Sequence, residues 1–390
     1  MGFVTRVRRV LCREAGRVTG RGSYLALLTL LPATAFLIFG TLFIRPVTDL
    51  PIALLDNDKT PTSRNLASMV DATEGVSIVC DITDTAEGER LIRAGEVYAM
   101  MLLPEGFERS LLGGEEAVVA LYNSGVNLTT NGIIERDVQS AVRTFSVGVQ
   151  LQRFGARGLA SEEAMAMAMP VAFDRHILFN PELDYATYLA PGFMSMTLLI
   201  FAVMATIYAV GSELKEGTAR EWLDTADGSM CAALVGKLAL PTVAMWLWGG
   251  VMFFVLFALL GVPIRGDFVV LALATALFVV SYEAMAVVFV ALFDNMRLAL
   301  SVGGGYSVLS FSFSGVTFPA IAMYAPIRVA GNLFPFTFYM KTYIGLAVRG
   351  EPVGYVLGDM AAMMLFWLLP MILLPRLKKM CSDERFWGKT

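Results

Sequence analysis

The side chains that could do covalent or metal chemistry are few, and they do not converge. Cys12, Cys80, Cys231 and Cys381 lie far apart, form no CxxC pair and have no histidine beside them, so neither a zinc site nor a redox couple is legible. The single histidine, His176, has no Ser-Asp or metal-binding partner nearby and is assigned no role. Met165, Met167 and Met169 carry thioether sulfurs that suit copper(I), but their alternation with alanine in a helix does not bring them to one face. No GxxxxGK[ST] phosphate loop occurs, and Gly388-Lys389-Thr390 lacks both the first glycine at the right spacing and a helix after it. Asn127-Leu128-Thr129 matches a glycosylation acceptor, a triplet common by chance. No catalytic residue, cofactor or metal is therefore expected.

Two places remain. Glu283 is the only ionisable residue deep in a long apolar stretch. A carboxylate at the centre of a bilayer costs at least about 2.5–3.5 kcal/mol, so this side chain must face protein or a wet cavity, or carry a proton. It is a candidate cavity residue; the competing explanation is a structural hydrogen bond to a neighbouring helix, through Ser281 or Tyr282 nearby. The second place is the loop Gly211 to Thr225, which gathers Glu213, Lys215, Glu216, Arg220, Glu221 and Asp224 around Leu214, Trp222 and Leu223. Charge with a few apolar contacts, Trp222 at an exposed position among them, suits docking to a polar partner.

The elements that hold these residues follow from composition. The 390 residues are 56% hydrophobic and 16% charged, with mean hydropathy +0.63, against about 45–50% apolar and about 25% charged for an ordinary soluble chain. That excess points to a bilayer and excludes a wholly soluble enzyme. The near-balanced net charge of −4 gives no reason to expect nucleic acid.

Gly22 to Ile44 is a run of 23 uncharged residues; as a helix it rises about 34 Å, enough for a hydrocarbon core of about 30 Å. It ends in Ile44-Arg45-Pro46 rather than in small residues, which favours a retained anchor over a signal peptide. Further apolar stretches run from Tyr188 to Val210, Leu238 to Leu260, Phe268 to Phe293, Leu298 to Val316 and Val353 to Leu374, making six spans. With the N-terminus cytoplasmic, the inner segments hold most of the Arg and Lys, so both termini are expected inside. Cys80 then lies outside, away from the other thiols, and an intrachain disulfide is not expected.

Residues 45–184 have ordinary polar composition and are long enough to fold alone. Short β-rich runs alternate there with helical ones: strands at Pro51 to Leu55, Val76 to Cys80, Val97 to Leu103 and Val118 to Tyr122, helices at Thr62 to Val70, Thr85 to Ala94 and Thr129 to about Ala168, interrupted near Gly155 to Gly158. A last strand-like run, Ala172 to Phe179, leads back to the membrane. The fold class is thus an α-helical polytopic membrane protein of six transmembrane helices with an inserted α/β extracytoplasmic domain. In residues 1–21, Phe3, Val4, Val7, Val10, Leu11 and Val18 recur at roughly helical spacing among Arg6, Arg9, Arg13 and Arg17. This is either an amphipathic helix in the inner headgroup layer, arginines toward anionic lipid, or a positive flank that fixes orientation.

The sequence resembles the permease subunits of type 2 ATP-binding-cassette transporters, in particular exporters with one large extracytoplasmic domain after the first span. The resemblance rests on Glu213, Glu216, Gly217-Thr218, Glu221 and Gly236-Lys237, on Phe179-Asn180-Pro181-Glu182 and Pro191-Gly192, on Ser314 to Pro319 and Asn332 to Tyr339, and on Arg349-Gly350, in order along the whole chain. One departure is Asp224-Thr225-Ala226-Asp227, where relatives carry a Thr-Pro step.

The resemblance implies a homodimer, or a heterodimer with a paralogous permease, driven by a separate cytoplasmic ATPase. The coupling element would be residues 211–237, with Glu213, Lys215, Glu216, Gly217, Thr218, Arg220, Glu221 and Trp222 pressed by that ATPase and the N-terminal helix beside it. Residues 317–350 would form a re-entrant outer hairpin, its gate at Gly315, Phe318, Pro319 and Pro335, between the spans in 238–316 (the third to fifth) and 351–375 (the sixth). The second span would occupy 185–210, and 376–390 would be a cytoplasmic tail. The implied function is export of an amphipathic or hydrophobic small molecule or lipid-like substrate across the inner membrane, with membrane lipid around it and a periplasmic adaptor as a further partner. The alternative is a membrane-anchored sensor or envelope assembly factor, but a sensor needs one or two spans, not six with Gly303-Gly304-Gly305 among them.

Overall fold

The computed structural model describes residues 2–44, 47–158, 160–168, 176, 178–180 and 184–388. Met169, most of the run from Ala172 to Phe179, the Pro181-Glu182 step and Lys389-Thr390 lie outside them. The chain forms two compact units, Met1–Arg45 with Ile177–Thr390, and Pro46–His176.

The first unit opens with α1 (Phe3–Gly20), which gives way at the extended residue Arg21 to α2 (Gly22–Leu28) and α3 (Leu30–Leu42). The expected first span is therefore broken at Thr29 (φ −126°, ψ −71°). Pro32 explains the repair if not the break: it has no N–H to offer the carbonyl of Leu28, and the Trp248 indole N–H donates to that carbonyl instead, at 2.9 Å.

The second unit is a small mixed sheet with helices on both faces. Its elements are β1 (Leu50–Asp56), α4 (Pro61–Asp71), β2 (Val76–Asp81), α5 (Thr85–Ala94), β3 (Ala99–Leu103), α6 (Phe107–Gly113), β4 (Ala120–Asn123), α7 (Leu128–Ala156) and α8 (Ser161–Ala168). Strand order is β2-β1-β3-β4, the first three parallel and β4 antiparallel to β3. The helices α4 and α5 supply the crossovers that parallel neighbours require. Ile52, Leu54 and Met101 bury one face against Leu66 and Val70 of α4 and Ile134, Val138 and Phe145 of α7, while Ala53, Leu55 and Met100 pack on the other with Ile82 and Val97. The helix α6 was not legible in the sequence; it is seven residues long and bounded by Gly106 and Gly114, both at positive φ. The crevice at the ends of β1 and β3, where open α/β sheets bind ligands, is filled by the chain itself. Asp58 accepts from the Gly106 and Glu108 amides at 2.9 and 3.0 Å, and Asp56 from those of Asp58 and Lys59 at 3.0 and 2.9 Å.

The first unit resumes with α9 (Tyr185–Lys215), α10 (Ala219–Thr225), α11 (Met230–Phe253, continued as a π-helical turn over Phe254–Leu259), α12 (Phe268–Leu292) and α13 (Met296–Phe313). Short pieces follow, among them α14 (Ala325–Ala330) and α15 (Pro335–Tyr343), then α16 (Val353–Leu365) and α17 (Leu368–Ser382). Five helical stretches among the described residues are long and apolar enough to cross a membrane: Gly22–Leu42, Tyr185–Lys215, Met230–Leu259, Phe268–Leu292 and Val353–Ser382. The remaining expected span, the fifth, corresponds to α13, whose 18 residues rise about 27 Å, short of a core of about 30 Å. The helices α9 and α12 are the most enclosed of the five.

Candidate functional site

The charged elbow between α9 and α11 is shaped by three glycine or near-glycine conformations. Gly217 (φ 72°) ends α9, with the Thr218 amide donating back to the Glu213 carbonyl at 2.9 Å and that of Gly217 to Leu214. After α10 the chain reverses through Asp227 (φ 49°) and Gly228 (φ 74°), the place where the sequence departs from the Thr-Pro step. Ser229 then caps α11.

Inside this elbow lies a buried ion cluster. Glu213 has no solvent exposure; its carboxylate accepts from Arg13 at 2.5 and 3.1 Å and from Lys237 at 2.7 Å, stands 3.3 Å from Arg17, and also accepts from the Thr218 hydroxyl. Lys237, equally enclosed, reaches Glu14 at 2.5 Å, and Glu14 accepts from the Tyr24 hydroxyl at 2.8 Å. The Lys237 ammonium also lies over the Trp222 ring, 5.4 Å from its centre. Each buried charge thus has an opposite partner and a hydrogen bond, the condition under which burial is tolerated.

Around the cluster the arginines of α1 form a ladder. Arg6 and Arg9 hold Asp227 at 3.1 and 2.6 Å, Arg13 reaches Glu221 at 3.5 Å, Arg17 holds Glu216 at 3.0 Å, and Arg21 pairs with Glu216. Burial pushes the Glu216 carboxyl up, but the Arg21 hydrogen bond and the charges of Arg17 and Arg21 outweigh it and hold it below the usual range. The Arg9 hydrogen bond does the same for Asp227, with Arg6 adding to it. The expectation that the arginines turn toward anionic lipid is corrected for these five: the elbow carboxylates offer fixed partners at hydrogen-bond distance.

The expected site residues divide in two. Lys215, Glu216, Arg220 and Glu221 are exposed, Gly217 and Thr218 are half-buried, and Glu213 and Trp222 are wholly inside. Trp222 is not the exposed contact expected of it: its indole N–H donates to the Ala233 carbonyl at 3.2 Å, and Leu214 and Leu223 are buried too. Glu14 and Lys237 were not singled out in the sequence as a pair. The signal was there: Glu14 is the only acid among the arginines of α1, and Lys237 stands where the apolar run of α11 begins.

Glu283 stands apart from this cluster, in the middle of α12. Its Oε2 is 2.7 Å from the Thr242 hydroxyl of α11, so the partner is Thr242 and not Ser281 or Tyr282. Those two serve other helices: Ser281 donates to the Met363 carbonyl at 3.0 Å, and the Tyr282 hydroxyl accepts from the Phe336 amide at 3.2 Å. At the other end of the bundle Gly315 (φ 89°) turns the chain tightly against Ala320, Phe318 is exposed, and Pro335 is buried where α15 begins. The carbonyls freed by these breaks are met by side chains, Tyr188 on Val316 at 2.9 Å, Tyr306 on Leu333 at 2.8 Å and Thr337 on Gly331 at 2.7 Å. Buried broken backbone requires such partners.

Among the described residues no group of histidine, cysteine or acidic side chains is placed to hold a metal ion. Comparison with known proteins adds three findings. Residues 23–374 match the family model described as ABC-2 family transporter protein. The chain is 21% identical over 362 residues to the probable multidrug ABC transporter permease YbhS of Escherichia coli (strain K12), covering 90% of this chain and 91% of that one, and equally so to its counterpart in Escherichia coli O157:H7. A crystal structure of a domain of a putative ABC type-2 transporter from Thermotoga maritima MSB8 aligns at 19% identity over 31% of this chain and 81% of its own, with a TM-score of 0.24.

Proposed function

Given that the chain belongs to the ABC-2 family transporter proteins and is a membrane-embedded, multi-pass permease whose family works with a partner ATPase, we propose that it is the transmembrane subunit of an exporter. Its cargo is an amphipathic or hydrophobic small molecule or a lipid-like substrate, and the named function of the Escherichia coli relative, a probable multidrug permease, supports that class. The protein works as a dimer, with an identical or paralogous permease, in the inner membrane with both termini cytoplasmic. It is not itself an enzyme. The unit Pro46–His176 is extracytoplasmic and offers its surface to a periplasmic adaptor. The gate is the broken segment from Gly315 through Phe318 and Pro319 to Pro335.

One observation carries the coupling role. The elbow presents Lys215, Glu216, Arg220 and Glu221 outward while its inner side, Glu213 and Trp222, is fastened to α1 and α11. An ATPase that presses the exposed edge moves α1, α9 and α11 together. The double reversal Lys215→Glu with Arg220→Glu changes only exposed side chains and leaves the Arg13–Glu221 contact and the buried cluster in place. Expected is normal membrane insertion, reduced capture of the ATPase and loss of substrate-stimulated hydrolysis in proteoliposomes. Unchanged stimulation would refute the assignment of this edge.

A further inference from the structure

Glu283 sits 3% exposed in α12, with one oxygen against Thr242 and the other, Oε1, without a hydrogen-bond partner. The Thr242 oxygen lies 2.7 Å from Glu283 Oε2 and 2.8 Å from the Leu238 carbonyl. A threonine hydroxyl has one proton to give. If Glu283 were a carboxylate, two acceptors would share that proton, as the Leu277 and Met363 carbonyls share that of Ser281, and a buried charge would be left with part of one hydrogen bond. If Glu283 is a carboxylic acid, its O–H donates to Thr242 Oγ1 and the Thr242 O–H donates to Leu238, so both contacts are filled by one added proton. The bare Oε1 is then the carbonyl of a neutral acid, far cheaper to leave without a donor than half of a carboxylate.

Among the described residues no salt bridge or hydrogen bond brings a cation to Glu283. Lys237, on the same helix as Thr242, is held by Glu14 and Glu213. Arg376 of α17 caps the carbonyls of Ala291 and Leu292, about two turns further along α12. Asp359 of α16 stands in the field of Lys341 and Glu351, Tyr339 of α15 shares a hydrogen bond with Thr275, and Tyr306 of α13 donates to Leu333. Tyr208 of α9 bonds Ser23. Tyr24 of α2 is committed to Glu14.

We propose that Glu283 is a proton-binding site inside the membrane, occupied in this conformation. Its chemistry is proton exchange alone: when water reaches the side chain the Oε2–H bond breaks, the proton passes to water and a carboxylate remains, and on reclosure the proton returns. The inference rests on the membrane placement of α11 and α12 and not on the direction of transport or the cargo.

The test is infrared spectroscopy of the full permease in lipid vesicles at about pH 7, well above the ordinary glutamate value of about 4.3, comparing wild type with Glu283→Gln. The amide N–H of glutamine can replace the acid O–H toward Thr242, so this variant keeps the packing. Expected in the difference spectrum is a carboxylic-acid carbonyl stretch present in wild type and lost in Glu283→Gln. A carboxylate band in its place overturns the proposal. Thr242→Val is expected to shift the acid band without removing it; an unmoved band overturns the hydrogen bond on which the assignment stands. In the same vesicles, apolar dicyclohexylcarbodiimide, which attacks protonated carboxyls, is expected to modify wild type at Glu283 and to lose that site in Glu283→Gln.

Discussion

Removing Lys237 tests whether the elbow cluster acts as one unit. In Lys237→Met, Glu213 keeps the guanidinium of Arg13 at 2.5 Å and that of Arg17 at 3.3 Å, but Glu14 is left with a single neutral donor, the Tyr24 hydroxyl at 2.8 Å. The uncompensated charge is therefore Glu14, and breaking a buried pair in this way costs about 3–5 kcal/mol. Loss of the contact with the Trp222 ring adds about 0.5–1 kcal/mol. Glu14→Gln alone is milder, about 1–3 kcal/mol, because Lys237 retains Glu213. In the double variant no orphaned charge remains, so the two losses do not add, and the coupling energy is about 2 kcal/mol. Equilibrium unfolding of the four proteins in mixed detergent micelles measures it. Additivity within about 0.5 kcal/mol would mean that Glu14 and Lys237 do not share a buried site and that the elbow cluster does not act as one unit.

Gly236→Ala places a Cβ 2.7 Å from both the Val10 Cβ and the Val7 carbonyl oxygen, a clash that backbone cannot relieve; a loss of about 1–3 kcal/mol is expected, with faster proteolysis of α1. Gly250→Ala meets open space and serves as the control. The pairing of α1 with the elbow should also fail in acid with a defined sign. Asp227 binds its proton less readily when folded, since Arg9 and Arg6 hold the carboxylate, so its contribution is whole above the ordinary aspartate value of about 3.9 and is lost as pH falls through the lower folded value. The protection factor of residues 3–10, exchange corrected for the intrinsic rate at each pH, is expected to be flat from about pH 5 upward and to fall in stronger acid, and Asp227→Asn should lower it throughout.

Local pattern and side-chain partnership separate what the sequence made legible from what it did not. The strand at Pro51 to Leu55 and the helices at Thr62 to Val70 and Thr85 to Ala94 appear within a residue or so of their expected bounds, because each carries its own signal. Thr60 and Asp84 cap the two helices, and Gly95 (φ 75°) ends the second. The break at Thr29 and the kink between α16 and α17 were not anticipated in the apolar runs. An apolar run reports length and not continuity. The elbow's charge was legible, but its direction was not. A carboxylate looks the same in sequence whether it faces solvent or an arginine some 200 residues away, as Glu213 faces Arg13. Amphipathicity in α1 carried the same ambiguity, since a row of arginines suits a headgroup layer and a row of carboxylates equally well.

That ambiguity bears on what the elbow can transmit. A loop whose charges all pointed outward would bind an ATPase and yield to it. Here Trp222 is wedged inside with its N–H on Ala233 and its ring beneath Lys237, so α10 cannot shift without moving the start of α11. Glu213 in turn links the last turn of α9 to α1 through Arg13 and to α11 through Lys237. On the proposed function, the two halves of the elbow then fail differently. Substitutions at Lys215 or Arg220 weaken capture of the ATPase and spare the bundle, whereas those at Glu14, Glu213 or Lys237 leave capture intact and loosen the joint, so that ATP is hydrolysed with less cargo moved. Transport measured per ATP consumed, at saturating ATPase, separates the two classes; a uniform loss across both would mean that the elbow is a single contact surface with no internal linkage.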